Sequence, residues 1–125
     1  MRVAIPIWEE RISPVFDTAE KILISDFEQG KVNSRFIIPF QVNFLPQRAA
    51  FLRRFGVQIL ICGGISTYLA RLVAAQGIRV IAGLSGNIDE VLRAYFQGNM
   101  LENRYLMPGW RGWKRRRYGR GRYNF

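Results

Sequence analysis

The chain has 125 residues, 49% of them hydrophobic, with nine phenylalanines, one cysteine, no histidine and a formal charge of +10. That length suits one domain of about 100–150 residues, and this apolar content supports a core without disulfide staples. A lone Cys62 excludes an internal disulfide and suits a reducing compartment. The apolar runs fall well short of the roughly 20 residues that span a bilayer, and no signal-peptide pattern precedes the first strand-like run, so a cytoplasmic protein that avoids membranes is expected.

Residues 2–8 (Arg-Val-Ala-Ile-Pro-Ile-Trp) form a short apolar run of β type, in which Pro6 must sit where the ladder tolerates a missing N–H. Residues 9–18 read as a loop punctuated by Ser13-Pro14. Residues 21–27 and 32–38 read as two strands joined by the turn Glu28-Gln29-Gly30, hence a hairpin, which Pro39 stops. Pro46 suits the first turn of a helix whose apolar positions are Leu45, Ala49, Leu52 and Phe55, closed by Gly56. Residues 57–61 read as a buried strand, Cys62-Gly63-Gly64 as a tight turn, and Ser66 as the start of a helix carrying Leu69, Leu72 and Val73 on one face and ending at Gly77. Residues 78–82 are the next strand, and Gly83-Leu84-Ser85-Gly86 the next turn. Asn87 and Glu90 have capping-box spacing before a helix with Ile88, Val91, Leu92, Tyr95 and Phe96 on its apolar stripe, closed by Gly98.

The order is therefore β-β-β-α-β-α-β-α. The strands at 57–61 and 78–82 should be parallel, joined by a right-handed crossover. The expected fold is α/β: a mixed five-stranded sheet flanked by helices, in a ribonuclease-H-like architecture, over residues 1–103. Residues 104–125 form a separate tail. The first 103 residues hold eleven Lys/Arg and nine Asp/Glu, a net +2, whereas the tail holds eight Lys/Arg and no acid. In the tail, Trp110, Trp113 and the run Lys114, Arg115, Arg116 and Arg117 interleave cations, glycines and aromatics. Cations neutralise phosphates and aromatics stack on bases, so this segment suits nucleic acid or an acidic protein partner. A flexible solubilising extension is the simpler alternative.

Three groups of residues carry candidate chemistry in the body. Cys62 ends a strand just before a helix start, where the helix N-terminus would lower its pKa and favour thiolate, a possible ligand for a preformed iron cluster; the simpler alternative is a small buried apolar residue. One thiolate cannot assemble an ordinary cluster, so such a cluster would be made elsewhere or shared with a second subunit in a homodimer. Gly63, Gly64, Gly83, Ser85 and Gly86 follow two parallel strands, where open α/β sheets place ligands and where backbone N–H groups suit anions; their spacing is neither a P-loop nor a dinucleotide fingerprint, and the simpler alternative is a pair of tight βα turns. Arg11, Ser13, Asp17 and Thr18 offer a cation, hydroxyls and a carboxylate as one wall of such a pocket; alternatively Asp17 caps a turn and Phe16 plugs the core. A two-metal nuclease needs an acid on the first strand, and residues 2–8 contain none, so no catalytic residues and no enzyme are expected.

Met1-Arg-Val-Ala-Ile-Pro-Ile-Trp8, Ile12-Ser-Pro-Val-Phe-Asp-Thr-Ala19, residues 57–64 and Gly77-Ile-Arg-Val-Ile-Ala-Gly-Leu-Ser-Gly86, in this order and at these spacings, resemble the dinitrogenase iron-molybdenum cofactor biosynthesis family. This family includes the NifX-like proteins and the C-terminal domain of NifB proteins. The resemblance covers roughly residues 1–100. It implies a small protein of ribonuclease-H-like fold that binds or carries the iron-molybdenum cofactor or an iron-sulfur precursor, in company with cluster-synthesis proteins. The chain departs from the pattern in having no histidine, and in carrying no cysteine at Met107-Pro-Gly-Trp110. Three functions are thus expected in order: a metal-cluster carrier, a nucleic-acid-binding module acting through the tail, and a small-anion-binding interaction protein without metal.

Overall fold

The computed structural model describes residues 1–29 and 31–97, with the side chains of 96 and 97 left aside. Six strands and three α-helices follow the expected order, with one addition. They are β1 (Arg2–Trp8), β2 (Arg11–Ile12), β3 (Lys21–Glu28), β4 (Lys31–Pro39), α1 (Leu45–Arg54), β5 (Ile59–Ile61), α2 (Thr67–Ala75), β6 (Arg79–Ile81) and α3 (Ile88–Gln97). The sheet runs β4-β3-β1-β5-β6, and β2 pairs with β1 off that path. The strand count is therefore six rather than the expected five.

The extra strand corrects the reading of 9–18 as plain loop. Glu9 and Glu10 turn the chain back so that Trp8 pairs with Arg11 and Ile7 with Ile12, and Phe16–Thr18 then make one turn of 3-10 helix. The hairpin expected at 21–38 forms as β3 and β4, with Ile22 opposite Ile38 and Ile24 opposite Phe36. The parallel pairs are β1 with β5 and β5 with β6. Pro6 lies outside the β1–β5 partners, which are Val3 and Ala4, so its missing N–H interrupts no bond there.

Both sheet faces are covered. Ala4, Ile22, Ile24, Leu60 and Val80 pack against Ala49 and Leu52 of α1 and Leu69, Ala70 and Val73 of α2. Val3, Ile5, Leu23, Ile61 and Ile81 pack against Ile88, Val91, Leu92 and Ala94 of α3. Alternation along the central strands thus feeds two cores, one on each face. The helix starts follow from their caps. Ser66 Oγ accepts the Leu69 N–H at 3.1 Å, and Asn87 Oδ1 accepts those of Asp89 at 2.9 Å and Glu90 at 3.3 Å. No helix among the described residues is long and apolar enough to cross a membrane.

At the opposite end of β1, Arg2 clamps three segments. Its guanidinium donates to both oxygens of Asp26, at 2.6 and 2.9 Å, and to Phe55 O at 2.7 Å. Ser34 Oγ donates to the same carboxylate at 2.8 Å. The Arg2 hydrogen bond, helped by that of Ser34, holds the Asp26 carboxyl down to about 2, below its ordinary value. Because the folded pKa is depressed, this stabilisation is complete above the unfolded pKa of about 3.9 and is lost as pH falls towards 2. Asp26→Asn is therefore expected to flatten the fall in unfolding free energy between about pH 4 and pH 2, read by urea titration at each pH; an unchanged slope would show that the clamp does not govern that limb.

Candidate functional site

Parallel pairing puts the C-terminal ends of β1, β5 and β6 on one side of the molecule. Residues 9–19, 62–66 and 82–87 leave from those ends and meet there. Their backbones are bonded to one another. Ser13 N–H donates to Pro6 O at 2.9 Å, Gly64 N–H to Pro14 O at 2.7 Å, and Phe16 N–H to Gly64 O at 2.8 Å. Gly83 N–H donates to Gly63 O at 2.9 Å, Leu84 N–H to Cys62 O at 3.1 Å, and Ile12 N–H to Gly86 O at 3.0 Å. The approach is so close that a Cβ on Gly63 would lie 2.6 Å from Ser13 O and 3.0 Å from Pro14 O.

These bonds correct two expectations. The N–H groups of Gly64 and Gly83 are not bare, because Pro14 O and Gly63 O already take them. Nor is Cys62 a poised thiolate. It is fully buried within the core on the α1/α2 face, and burial, reinforced by the Asp17 carboxylate, pushes its thiol pKa well up. Desolvation outweighs the helix N-terminus at this position. In this conformation the thiol offers no exposed surface to a metal cluster. Among the described residues, no three His, Cys, Asp or Glu side chains gather as a metal site.

The segment carrying Ser13, Asp17 and Thr18 divides its roles. Phe16 is fully buried and stacks on Phe40, with centroids 5.7 Å apart and planes 3° apart. Asp17 Oδ1 accepts the Ser66 N–H at 2.9 Å, so its carboxylate lies at the start of α2. The alternative in which Phe16 plugs the core and Asp17 caps a turn is thus the observed packing. Ser13 is buried and Thr18 exposed. Both still line a cavity of about 350 Å³, with Trp8, Glu9, Glu20 and Lys21 on its other walls. Glu9 holds a φ of 57°, an uncommon conformation for a non-glycine residue.

Arg11 lies across the junction, exposed and bridged to Asn87; half-buried Ser85 and Gly86 and buried Gly83 precede Asn87 in the chain. Asp17, Cys62, Gly63 and Gly64 therefore gather near the α2 start, while Arg11, Ser85 and Gly86 flank the start of α3. Trp110, Trp113, Lys114, Arg115, Arg116 and Arg117 lie outside the described residues.

One residue escaped sequence reasoning. Arg48 of α1 is 2% exposed, yet it is a full guanidinium. Its Nη1 donates to Phe16 O at 3.0 Å, and its Cζ lies 4.6 Å from the Phe40 ring centroid and 5.7 Å from that of Phe16. Its Nε has no partner. Burial lowers its pKa, while the charge of Asp17 acts the other way. The signal was available: Arg48 stands between Leu45 and Leu52 at helical spacing, on the stripe that faces the core.

Comparison with known proteins agrees with this architecture. The chain is 26% identical over 105 residues to an uncharacterized protein of Methanocaldococcus jannaschii, covering 80% of this chain and 89% of that one. The crystal structure of the protein PH0822 superposes with a TM-score of 0.74 at 25% identity, covering 78% of this chain and 90% of that one. A second M. jannaschii protein, provisionally assigned as a dinitrogenase, shares the fold with a TM-score of 0.66 at 21% identity, over 79% of this chain and 90% of that one. Residues 1–98 match the family model described as dinitrogenase iron-molybdenum cofactor, and the chain belongs to that family.

Proposed function

We propose that this protein binds and carries an iron-molybdenum or iron-sulfur cofactor, or its precursor, as cargo at the C-terminal end of its parallel strands. The observation that carries the reading is the family match over residues 1–98, a span that takes in every loop at that end. The strand order, with β3 antiparallel to both of its neighbours, β1 and β4, supports placing the sheet with the ribonuclease-H-like folds. Crevices beyond strand C-termini are where such sheets hold ligands. Arg11, Ser13, Thr18, Ser85 and Gly86 are the groups proposed to meet the cargo, with Gly63, Gly64 and Gly83 as the scaffold beneath them. We read the protein as a binder rather than an enzyme, since it has no histidine and β1 carries no acid.

The test is anaerobic loading of the full chain with a preformed cluster, or with iron, sulfide and molybdate. Bound metal and visible absorption are then compared with those of Cys62→Ala. Stoichiometric metal in both proteins is the expected result, because the thiol is sealed in the core. Loss in the variant, with its fold intact, would make Cys62 the anchor and require residues 13–18 to open. No metal in either would overturn the carrier reading. A second reading rests on the eight Lys/Arg and no acid of residues 104–125, which suit RNA or single-stranded DNA. It requires steeply salt-dependent binding that disappears when residues 104–125 are deleted.

A further inference from the structure

The two edges of the sheet are unlike. β6 is three residues long, whereas β4 runs for nine, and every residue of β4 except Ile38 is exposed. Among the described residues, nothing pairs with its outer side. Its free backbone groups can be assigned. Phe40 N–H donates to Glu20 O at 2.7 Å, in register with the β3–β4 ladder, while Phe27 N–H donates to Met1 O on the other side of β3. The bonding side alternates from residue to residue in an antiparallel ladder. Ser34, Phe36 and Ile38 therefore bond to β3, and the N–H and C=O of Arg35 and Ile37 point outward, with the C=O of Pro39. Such an edge is a template for another strand unless it is guarded. The guards here stand at its ends: Asn33 has no partner where the register shifts, and Pro39 lacks an N–H. Between them the one charge is Arg35, and Asp89 of α3 already holds its guanidinium at 2.6 Å. Ile37 is 56% exposed and Phe36 37%.

We propose that β4 is an interface for a second copy of this chain, which pairs with it antiparallel about a two-fold axis through Ile37 and continues the sheet. The pattern is self-complementary, as an isologous contact requires. In that register Ile37 meets the second copy's Ile37 on one face, and Phe36 meets its Ile38 on the other, so each apolar side chain gains an apolar cross-strand neighbour. The outward groups match as well. Each Ile37 N–H reaches the other copy's Ile37 carbonyl, and each Arg35 N–H the other's Pro39 carbonyl. The donor that Pro39 lacks falls at the outer end of the pairing. Lys31 is carried beyond the paired stretch, so like charges do not face each other. An acidic partner fits less well, because the strand's central cation is already neutralised within the fold. One strand from each copy buries less than a standard interface, so the dimer is weak and concentration-dependent. The antiparallel pairing also turns the C-terminal ends of β1, β5 and β6 in opposite directions in the two copies. Where the carrier reading above holds, each copy then carries its own cargo, and none is shared across this interface.

The experiment is sedimentation equilibrium of the full chain over about a hundredfold range of concentration, in salt that screens the basic tail, with amide hydrogen exchange at both ends of the range. The mass is expected to rise from one chain towards two. The Arg35 and Ile37 amides should exchange freely in the dilute protein and become protected in the concentrated one, while Phe36 and Ile38, bonded to β3, stay protected throughout. Ile37→Lys places a charge at the two-fold axis and should weaken the dimer by at least about tenfold. Val32→Lys adds the same charge to the same strand, at an exposed residue outside the paired stretch, and should leave the dimer as it is. If Ile37→Lys does not fold, the exchange pattern of the native chain decides. A monomer at every concentration overturns the proposal, as does a dimer that Ile37→Lys leaves intact or Val32→Lys weakens equally. Arg35 and Ile37 amides protected in the monomer overturn it too, since residues 98–125 of the same chain would then cover the edge. Metal uptake is scored separately and bears only on the carrier reading.

Discussion

Gly63→Ala is expected to lower the unfolding free energy by about 3 kcal/mol, the upper end of what overpacking costs. The added Cβ would meet three backbone carbonyl oxygens: Ser13 O at 2.6 Å, Pro14 O at 3.0 Å and Leu84 O at 3.3 Å. None is the mobile end of a side chain. Relief requires one loop to back away, and each loop is tied down by neighbouring bonds, Gly64 N–H to Pro14 O and Gly83 N–H to Gly63 O among them. The proper control is Gly77→Ala. That glycine has open space around it but a φ of 84°, so its loss charges only the left-handed conformation, about 1–2 kcal/mol. Urea unfolding followed by far-UV circular dichroism compares the two. If Gly63→Ala costs no more than Gly77→Ala, the three loops are not packed as tightly as these distances require.

The pattern of local cues explains what could be read in advance. Ser66 and Asn87 were legible as helix starts because a cap acts within three residues, and both side chains make the expected bonds. The β3–β4 hairpin and the parallel β5–β6 pair were legible for a similar reason: apolar runs of strand length sit between glycine and proline punctuation. β2 was hidden because its turn is Glu9-Glu10, and a glutamate at φ 57° is not a residue that announces a tight turn. Cys62 had two readings, and its burial selects the simpler one, a small buried residue. Its position before α2 argued for a stabilised thiolate, but residues 13–16, almost fifty positions earlier in the chain, close over the following glycines and seal it. The availability of the glycine N–H groups failed in the same way. Spacing along the chain locates a βα turn, whereas the partner that consumes its donors comes from tertiary packing.

Arg48 gives the second large effect, and its direction depends on what replaces it. Arg48→Ala is expected to lose about 3–4 kcal/mol. Replacement by alanine or by methionine takes the donor from Phe16 O and removes the buried charge, two effects that offset, but alanine also opens a cavity beside the Phe16 and Phe40 rings, and that is its cost. Arg48→Met is expected to stay within about 1 kcal/mol of the native protein. The methionine fills much of the same volume and contacts the rings favourably. It also removes a buried charge whose Nε is unpaired, so the desolvation it relieves offsets the donor it takes from Phe16 O. The comparison separates two accounts of this residue. If volume and ring contact dominate, only alanine is damaging. If the guanidinium's bond to Phe16 O is what holds residues 13–18 against the glycine turns, methionine and alanine lose equally, and hydrogen exchange at Gly64 N–H, bonded to Pro14 O in that segment, rises in both. A native-like methionine variant would mean that a charge is kept in this core where an apolar side chain serves stability as well.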